Sequence, residues 1–222
     1  MNQPIVESSG GITLVGGGPV SAGLFRIAVQ RAPVIVAADS GADRCVKLGA
    51  EPAAVIGDMD SISPAVRATL GARVHPIAEQ DSTDFDKALR SVKARFVLAV
   101  GFVGARADHE LAAFNVLVRR TETCLMLGPE DVVFHLPPRF EVDLPVGERF
   151  SLFPMRPLTG TSDGLEWAID GLELSPAGRT STSNRVSKRR VRVEVSGPGM
   201  LAILPRKHLD RALQALLASS SD

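Results

Sequence analysis

The chain has 222 residues, with 25 basic and 25 acidic side chains, 45% hydrophobic and 23% charged content. That length supports one large domain or two small ones with a real core, and the composition is ordinary for a globular protein. A net charge of zero argues against a nucleic-acid partner, and two cysteines, Cys45 and Cys124, form neither a disulfide framework nor a metal-ligand spacing.

Residues 1–11 carry no basic cluster and no apolar stretch, unlike a signal peptide. No run in the chain approaches the ~18 apolar residues of a membrane span. The expectation is a cytoplasmic protein with no membrane partner. From residue 12 to 127, apolar runs alternate with helical patterns. Strands are predicted at 12–15, 34–38, 53–56, 74–77, 96–100 and 124–127. Helices are predicted at 21–32, at 42–48 with Gly49 as a C′ residue, and from Ser63-Pro64, where Ser is an N-cap and Pro the first helical residue. Thr83-x-x-Asp86 resembles a capping box, and Asp108 is placed to cap a helix through Leu111, Phe114 and Leu117. Alternation of this kind predicts an α/β domain with a mostly parallel, doubly wound sheet.

Near Leu136-Pro137-Pro138 the pattern changes. Short β-rich runs at 140–144, 149–154, 165–169, 190–195 and 200–204 are separated by turn chemistry such as Ser162-Asp-Gly and Ser196-Gly-Pro-Gly. This predicts a small all-β domain, a sandwich or barrel, so residues 1–136 and 137–222 are expected to form two domains. Residues 208–217 read as a short amphipathic helix, and Ser219-Ser-Ser-Asp as a frayed end. Both cysteines read as small buried hydrophobes.

Four acidic motifs fall just after apolar runs of the α/β half: Ala-Asp-Ser-Gly-Ala (38–42), Gly-Asp-Met-Asp-Ser (57–61), Gln-Asp-Ser-Thr-Asp-Phe-Asp-Lys (80–87) and Gly-Ala-Arg-Ala-Asp-His (104–109). In an open parallel sheet those strand ends form the ligand crevice. Carboxylates gathered there repel one another unless cations share the site, and Mg²⁺, which brings phosphate groups with it, suits them. Asp58 and Asp60 are the leading pair, expected on one side of an extended segment. Asp81 and Asp84 form a second cluster, with Lys87 one turn on, free to meet a phosphate or to pair with Asp84. Asp39 ends a strand. Arg106 offers a bidentate phosphate clamp or a surface ion pair with Asp108, and His109 reads as structural. Gly16-Gly17-Gly18 is either a phosphate-cradling turn or a plain one. In the β half, Trp167 and the stretch 180–184, with Ser181, Ser183 and Asn184, fit either a small polar heterocycle or a turn-rich hairpin. The basic run Arg185, Lys188, Arg189, Arg190, Arg192 reads as a solvated hairpin face.

Taken in order, the segments ADSGADRC, IGDMDSISP, EQDSTDFDKAL, GFVGARADHELAAFNVL, GLEW and STSN resemble the thiamine pyrophosphokinase family, over roughly residues 12–205. The resemblance implies an α/β catalytic domain and a C-terminal β-sandwich. It implies transfer of the β,γ-pyrophosphoryl group of ATP to the hydroxyethyl oxygen of thiamine, with Mg²⁺, in a homodimer whose active sites lie between subunits. By position, Asp58, Asp60 and Asp84 match acidic metal and substrate ligands. Asp39, Arg106 and Asp108 match nucleotide- and metal-side residues, joined by Gly17 and Lys87 on the ATP side. Asp81, Trp167, Ser181, Ser183 and Asn184 fall to thiamine. The sequence departs from the family's usual Asp-Gly-Gly-Ala at Ser40, and from Gly-Gly-Arg-x-Asp-His at Ala105.

Pyrophosphoryl transfer depends mostly on positioning and charge neutralisation, which is what clustered Asp residues with an Arg and a Lys supply. Three rivals remain: the same reaction on another alcohol such as a hydroxymethylpterin, a metal-dependent phosphohydrolase, and a regulator that binds nucleotide or thiamine without turnover.

Overall fold

A computed structural model describes residues 3–219. The end expected to fray lies, beyond Ser219, outside the described residues. The chain divides into two compact units. One reaches to Val116 and includes Glu122–Pro129; the other comprises Leu117–Thr121 and the chain from Glu130 on.

In chain order the first unit contains β1 (Val6–Glu7), β2 (Gly11–Val15), α1 (Ala22–Arg31), β3 (Val34–Ala38), α2 (Gly41–Lys47), β4 (Ala54–Gly57), α3 (Pro64–Leu70), β5 (Val74–Pro76), α4 (Asp84–Arg90), β6 (Val92–Lys93), β7 (Phe96–Val100), α5 (Ala107–Arg119, running on past Val116) and β8 (Cys124–Leu127). Its main sheet has the order β8-β7-β2-β3-β4-β5, parallel throughout. β1 and β6 pair separately. Every residue of β2, β4, β7 and β8 is buried, which is why these strands read as unbroken apolar runs rather than alternating ones. The polar exception, Thr13, is fully buried and donates its Oγ1 hydrogen to the Ala32 carbonyl at 2.6 Å.

The helix starts follow local chemistry. Ser63 accepts from the Val66 N–H with Pro64 at the first helical position, and Thr83 accepts from the Asp86 N–H. The cap assigned to Asp108 is corrected: α5 already starts at Ala107, so Asp108 lies inside its first turn, where a negative charge favours the helix dipole. From β2 the chain winds outward through β3, β4 and β5 on one side, and through β7 and β8 on the other. The order therefore reverses between β2 and β7, the place where doubly wound sheets bind ligands. Glycines let the loops after these two strands touch: a Cβ on Gly18 would sit 2.6 Å from the Gly101 carbonyl oxygen, and Gly101 itself has φ 78°.

The second unit contains β9 (Asp131–His135), β10 (Arg139–Asp143), β11 (Ser151–Pro154), β12 (Gly160–Asp163), β13 (Arg190–Val195), β14 (Met200–Pro205) and α6 (Leu209–Ser219). Its strands form two antiparallel layers, β11-β14-β9 and β10-β13-β12, and α6 packs on β10. Val191, Val193 and Val195 of β13 point inward while Arg190, Arg192 and Glu194 stay exposed, the alternation of a one-sided sheet. Phe134, Phe140 and Phe150 meet in the core, with ring centroids 5.4 and 6.5 Å apart.

Three sequence expectations change here. β9 lies ahead of the Leu136-Pro137-Pro138 break and pairs with β14. Ser162 and Asp163, read as a turn, belong to β12, a polar edge strand paired with β13 and tied by Ser162 to Ile169 and Asp170. Residues 165–169, expected as a strand, make only the isolated bridge Leu165–Val186. The basic run is paired side chain by side chain. Arg185 meets Glu166, Lys188 meets Asp163, Arg189 meets Asp143, and both Arg190 and Arg192 meet Glu141. Cys45 and Cys124 are buried; burial pushes the Cys45 thiol up to about 12 and raises Cys124 as well. No described helix is long and apolar enough to cross a membrane.

Candidate active site

A cleft of about 480 Å³ opens at the carboxyl ends of β2, β3, β4 and β7. It is lined by Gly16–18, Gly101 and Phe102 at the switch point and by Asp39, Asp58 and Asp84. Ligand oxygens of Asp39, Asp58 and Asp60 lie within 4.8 Å of one another.

Backbone conformation brings these carboxylates together. Asp39 follows β3 with φ 43°, and Met59, between Asp58 and Asp60, has φ 69°. Both values are uncommon for side chains other than glycine, and strain of this kind gathers at functional sites. The Met59 turn corrects the expectation of an extended segment. Asp58 and Asp60 converge through a tight turn in which Asp58 Oδ1 accepts the Asp60 N–H at 3.3 Å, with the Met59 side chain buried beneath it. Gly57 is required for the next contact: a Cβ there would lie 2.9 Å from Asp84 Oδ1, the atom that accepts the Asp58 N–H at 3.2 Å. The first turn of α4 thus locks onto the end of β4.

Lys87 is buried, 1% exposed, with Nζ 3.3 Å from Asp58 Oδ2 and 3.5 Å from Asp84 Oδ1. Of the two sequence readings, the pair with Asp84 is present, and Lys87 does not line the cleft. Gln80 adds a 3.5 Å contact to Asp58 Oδ2, and Ser61 donates to Asp60 at 2.6 Å.

Electrostatics separate the carboxylates. Burial raises Asp39, and the charges of Asp84, Asp60 and Asp58 add to that against one hydrogen bond from the Ser40 N–H. Burial also raises Asp84, helped by the Asp58 charge and opposed by Lys87. At Asp58, burial is outweighed by the Asp60 N–H, Lys87 and Gln80, so this group stays below the usual carboxylate range. Asp39 Oδ1 is buried and has no hydrogen-bond partner among the described residues, an arrangement that costs free energy unless something fills it. An all-oxygen donor set with an orphaned buried oxygen fits a hard divalent cation such as Mg²⁺.

At the mouth of the cleft, Arg106 and Asp108 form a two-pronged exposed pair, Nη2–Oδ2 2.7 Å and Nε–Oδ1 3.2 Å. The Arg106 hydrogen bond holds Asp108 down to about 2. Arg106 and His109 line the cleft; Asp108 stands outside the Asp39–Asp58–Asp60 group. Gly17 lines the cleft, and its carbonyl accepts from Arg44 Nε at 3.2 Å. Asp81 is exposed and does not line the cleft; its backbone N–H is held by Glu79. Sequence reading missed Gln80, Arg44 and Phe102; Asp39, read on the nucleotide and metal side, lies beside Asp58 and Asp60. Arg44 and Phe102 reach the site through loop contacts that carry no local signal.

The residues assigned to thiamine, apart from Asp81 and Asp84, lie in the second unit. Trp167 is 54% exposed. Asn184 is buried, and its amide is fully used. Nδ2 donates to the Trp167 carbonyl (2.6 Å) and Ser181 Oγ (2.9 Å), while Oδ1 accepts from the Trp167 N–H (3.2 Å) and the Arg185 N–H (2.8 Å). Ser183, at φ 56°, is exposed, and its N–H donates to Ser151 Oγ at 2.9 Å. Asn184 thus ties the Trp167 segment to the Ser181 segment.

Comparison with known proteins places this geometry. Residues 25–127 match the family described as thiamin pyrophosphokinase, catalytic domain, and residues 135–199 match its vitamin B1 binding domain. Thiamine pyrophosphokinase 1 of Oryza sativa subsp. japonica is 31% identical over 200 residues, covering 74% of this chain and 76% of the relative. Thiamine pyrophosphokinase 1 of Arabidopsis thaliana is 32% identical over 165 residues, covering 65% of this chain and 62% of that one. The structure of thiamin pyrophosphokinase from Candida albicans shares the fold, with a TM-score of 0.74 at 17% identity over 88% of this chain and 90% of that one. With both domains matched in order, the chain belongs to the thiamine pyrophosphokinase family of enzymes.

Proposed function

We propose that this protein transfers the β,γ-pyrophosphoryl group of ATP to the hydroxyethyl oxygen of thiamine, giving thiamine diphosphate and AMP, with Mg²⁺ as the required cation. The observation that carries the reading is the convergence of Asp39, Asp58 and Asp60, backed by Asp84, beside a glycine-lined switch point in a chain of this family. In the reaction the thiamine oxygen forms a bond to the β-phosphorus. The bond from that phosphorus to the α,β-bridging oxygen breaks, AMP leaves, and the alcohol proton is released.

Asp39, Asp58 and Asp60 would hold Mg²⁺, which when bound neutralises charge on the phosphate oxygens. The Gly16–18 turn lets the triphosphate approach the backbone closely. Arg106 offers its fork to the phosphates, exchanging its bond to Asp108 for one to the nucleotide. Asp84, raised above the ordinary carboxylate range by burial and by Asp58, is the group assigned to orient the alcohol and receive its hydrogen. Positioning matters more here than basicity, because a carboxylate is a weak base toward an alcohol. On the thiamine side, Trp167 supplies an exposed aromatic face and Ser183 a hydroxyl, with Ser181 and Asn184 holding them; Asp81 is assigned to the same substrate. The reading includes a cytoplasmic homodimer.

ATP labelled on the β-phosphorus tests it. The label is expected in thiamine diphosphate, with unlabelled AMP and no ADP or thiamine monophosphate along the way. Labelled ADP or phosphate would contradict pyrophosphoryl transfer.

A further inference from the structure

Lys87 heads the fully buried side chains by volume, yet it lines no part of the cleft and has no substrate role in the reaction above. A buried ammonium is costly unless it is paired and hydrogen-bonded. Its two partners, Asp58 at the end of β4 and Asp84 at the start of α4, come from different elements. Helix α4 packs on β3 and β4, whose ends carry Asp39 and Asp58. The Asp84–Lys87 spacing of three puts both residues on one helix face. A single buried cation therefore reaches two of the four clustered carboxylates from within the fold, without opening onto the cleft.

We propose that Lys87 is a positioning residue: a resident counter-ion that keeps Asp39, Asp58, Asp60 and Asp84 converged when no divalent cation is bound, and that does not touch the nucleotide. The proposal rests on the cation reading above. Without Lys87, the cluster has no internal positive charge, and removing one partner of a buried ion pair is strongly destabilising. An external cation then has to take its place, so the stability of a Lys87 variant becomes dependent on divalent ions.

The test compares full-length wild type, Lys87→Met and Lys87→Arg by thermal melting in chelator and in saturating Mg²⁺, with calorimetric Mg²⁺ binding. Lys87→Met in chelator is expected to melt about 10 °C below wild type. It should recover at least half of that loss in Mg²⁺ or on adding Asp58→Asn, which removes the unpaired charge. Lys87→Arg should lose less. At saturating Mg²⁺, the KM for ATP of Lys87→Met should stay within about threefold of wild type. A melting loss rescued neither by Mg²⁺ nor by Asp58→Asn would overturn the proposal, as would an unchanged melt or a KM for ATP raised tenfold or more. If Lys87→Met does not fold, Lys87→Gln, which keeps a donor toward Asp58, is judged by the same outcomes. If wild type binds no Mg²⁺ but Asp58→Asn still rescues Lys87→Met, the cation reading fails while the counter-ion role of Lys87 stands.

Discussion

The two groups of assigned residues are built by different means. In the first unit, Asp39 and Asp58 sit at the ends of paired parallel strands, and the Asp84 carboxylate is locked to the end of β4 by accepting the Asp58 N–H. The sheet itself sets their spacing, and charge is the problem left over: carboxylates pressed together, with Asp39 Oδ1 left unpartnered among the described residues. In the second unit, Trp167 and Ser183 lie on irregular chain, and one buried amide, Asn184, does the work that strand pairing does elsewhere. The contrast separates a site limited by electrostatics from one limited by hydrogen-bonded shape, and the two should fail differently when mutated.

The largest effect is expected from Asp58→Asn. It preserves shape but removes charge at the centre of the cluster, so kcat should fall about 10²–10³-fold, the scale for losing one electrostatic group in a site. The melting temperature, by contrast, should fall only modestly in chelator, because relief of like charges in the cluster offsets part of the lost pair with Lys87. Near-normal turnover at ordinary Mg²⁺ would remove Asp58 from the cation site. Asn184→Ala should do the reverse. It strands the Trp167 carbonyl and two backbone N–H groups, at about 2–4 kcal/mol of stability, visible in chemical denaturation, and raises the KM for thiamine with little effect on the KM for ATP. An unaltered denaturation midpoint would show that Asn184 is not the latch.

Trp167→Ala is expected to be milder. The side chain is half exposed, so stability should change little, while loss of a stacking face costs about 1 kcal/mol of binding, read as a several-fold rise in the KM for thiamine. A KM that does not move would take Trp167 out of the site. The smallest effect concerns pH. Burial lowers the His135 pKa, and its neutral Nε2 accepts the Gly199 N–H at 2.9 Å. A depressed folded pKa means that the unfolded state binds the proton more readily, so stability rises with pH in this window. This contribution is complete above about pH 6.5, the ordinary histidine value, and is lost as pH falls through the folded value. His135→Gln, which still offers an acceptor, should flatten the acid side of a melting-temperature profile between pH 7 and 5. A profile of unchanged slope would rule the His135 contribution out.

Much of the fold was legible because its signals are local. The strands at 34–38, 96–100 and 190–195 follow from apolar runs or alternation, and the Ser63-Pro64 and Thr83 caps from side chains beside their own helix. What sequence reading missed depends on partners far along the chain. β12 is a strand only because β13 lies beside it, and β9 joins the second unit through β14. The same divide runs through the site. Asp58, Asp60 and Asp84 stood out by motif, and the Asp84–Lys87 pair by spacing. The left-handed turn at Met59 and the burial of Lys87 against a residue 29 positions away arise only when strand ends are brought together.

Pyrophosphoryl transfer to thiamine is tested most directly by AMP formation from ATP and Mg²⁺, with and without thiamine, and mass detection of the product. AMP should depend on thiamine and match thiamine diphosphate mole for mole. AMP or phosphate released equally without thiamine, or no turnover from a folded preparation, would contradict it.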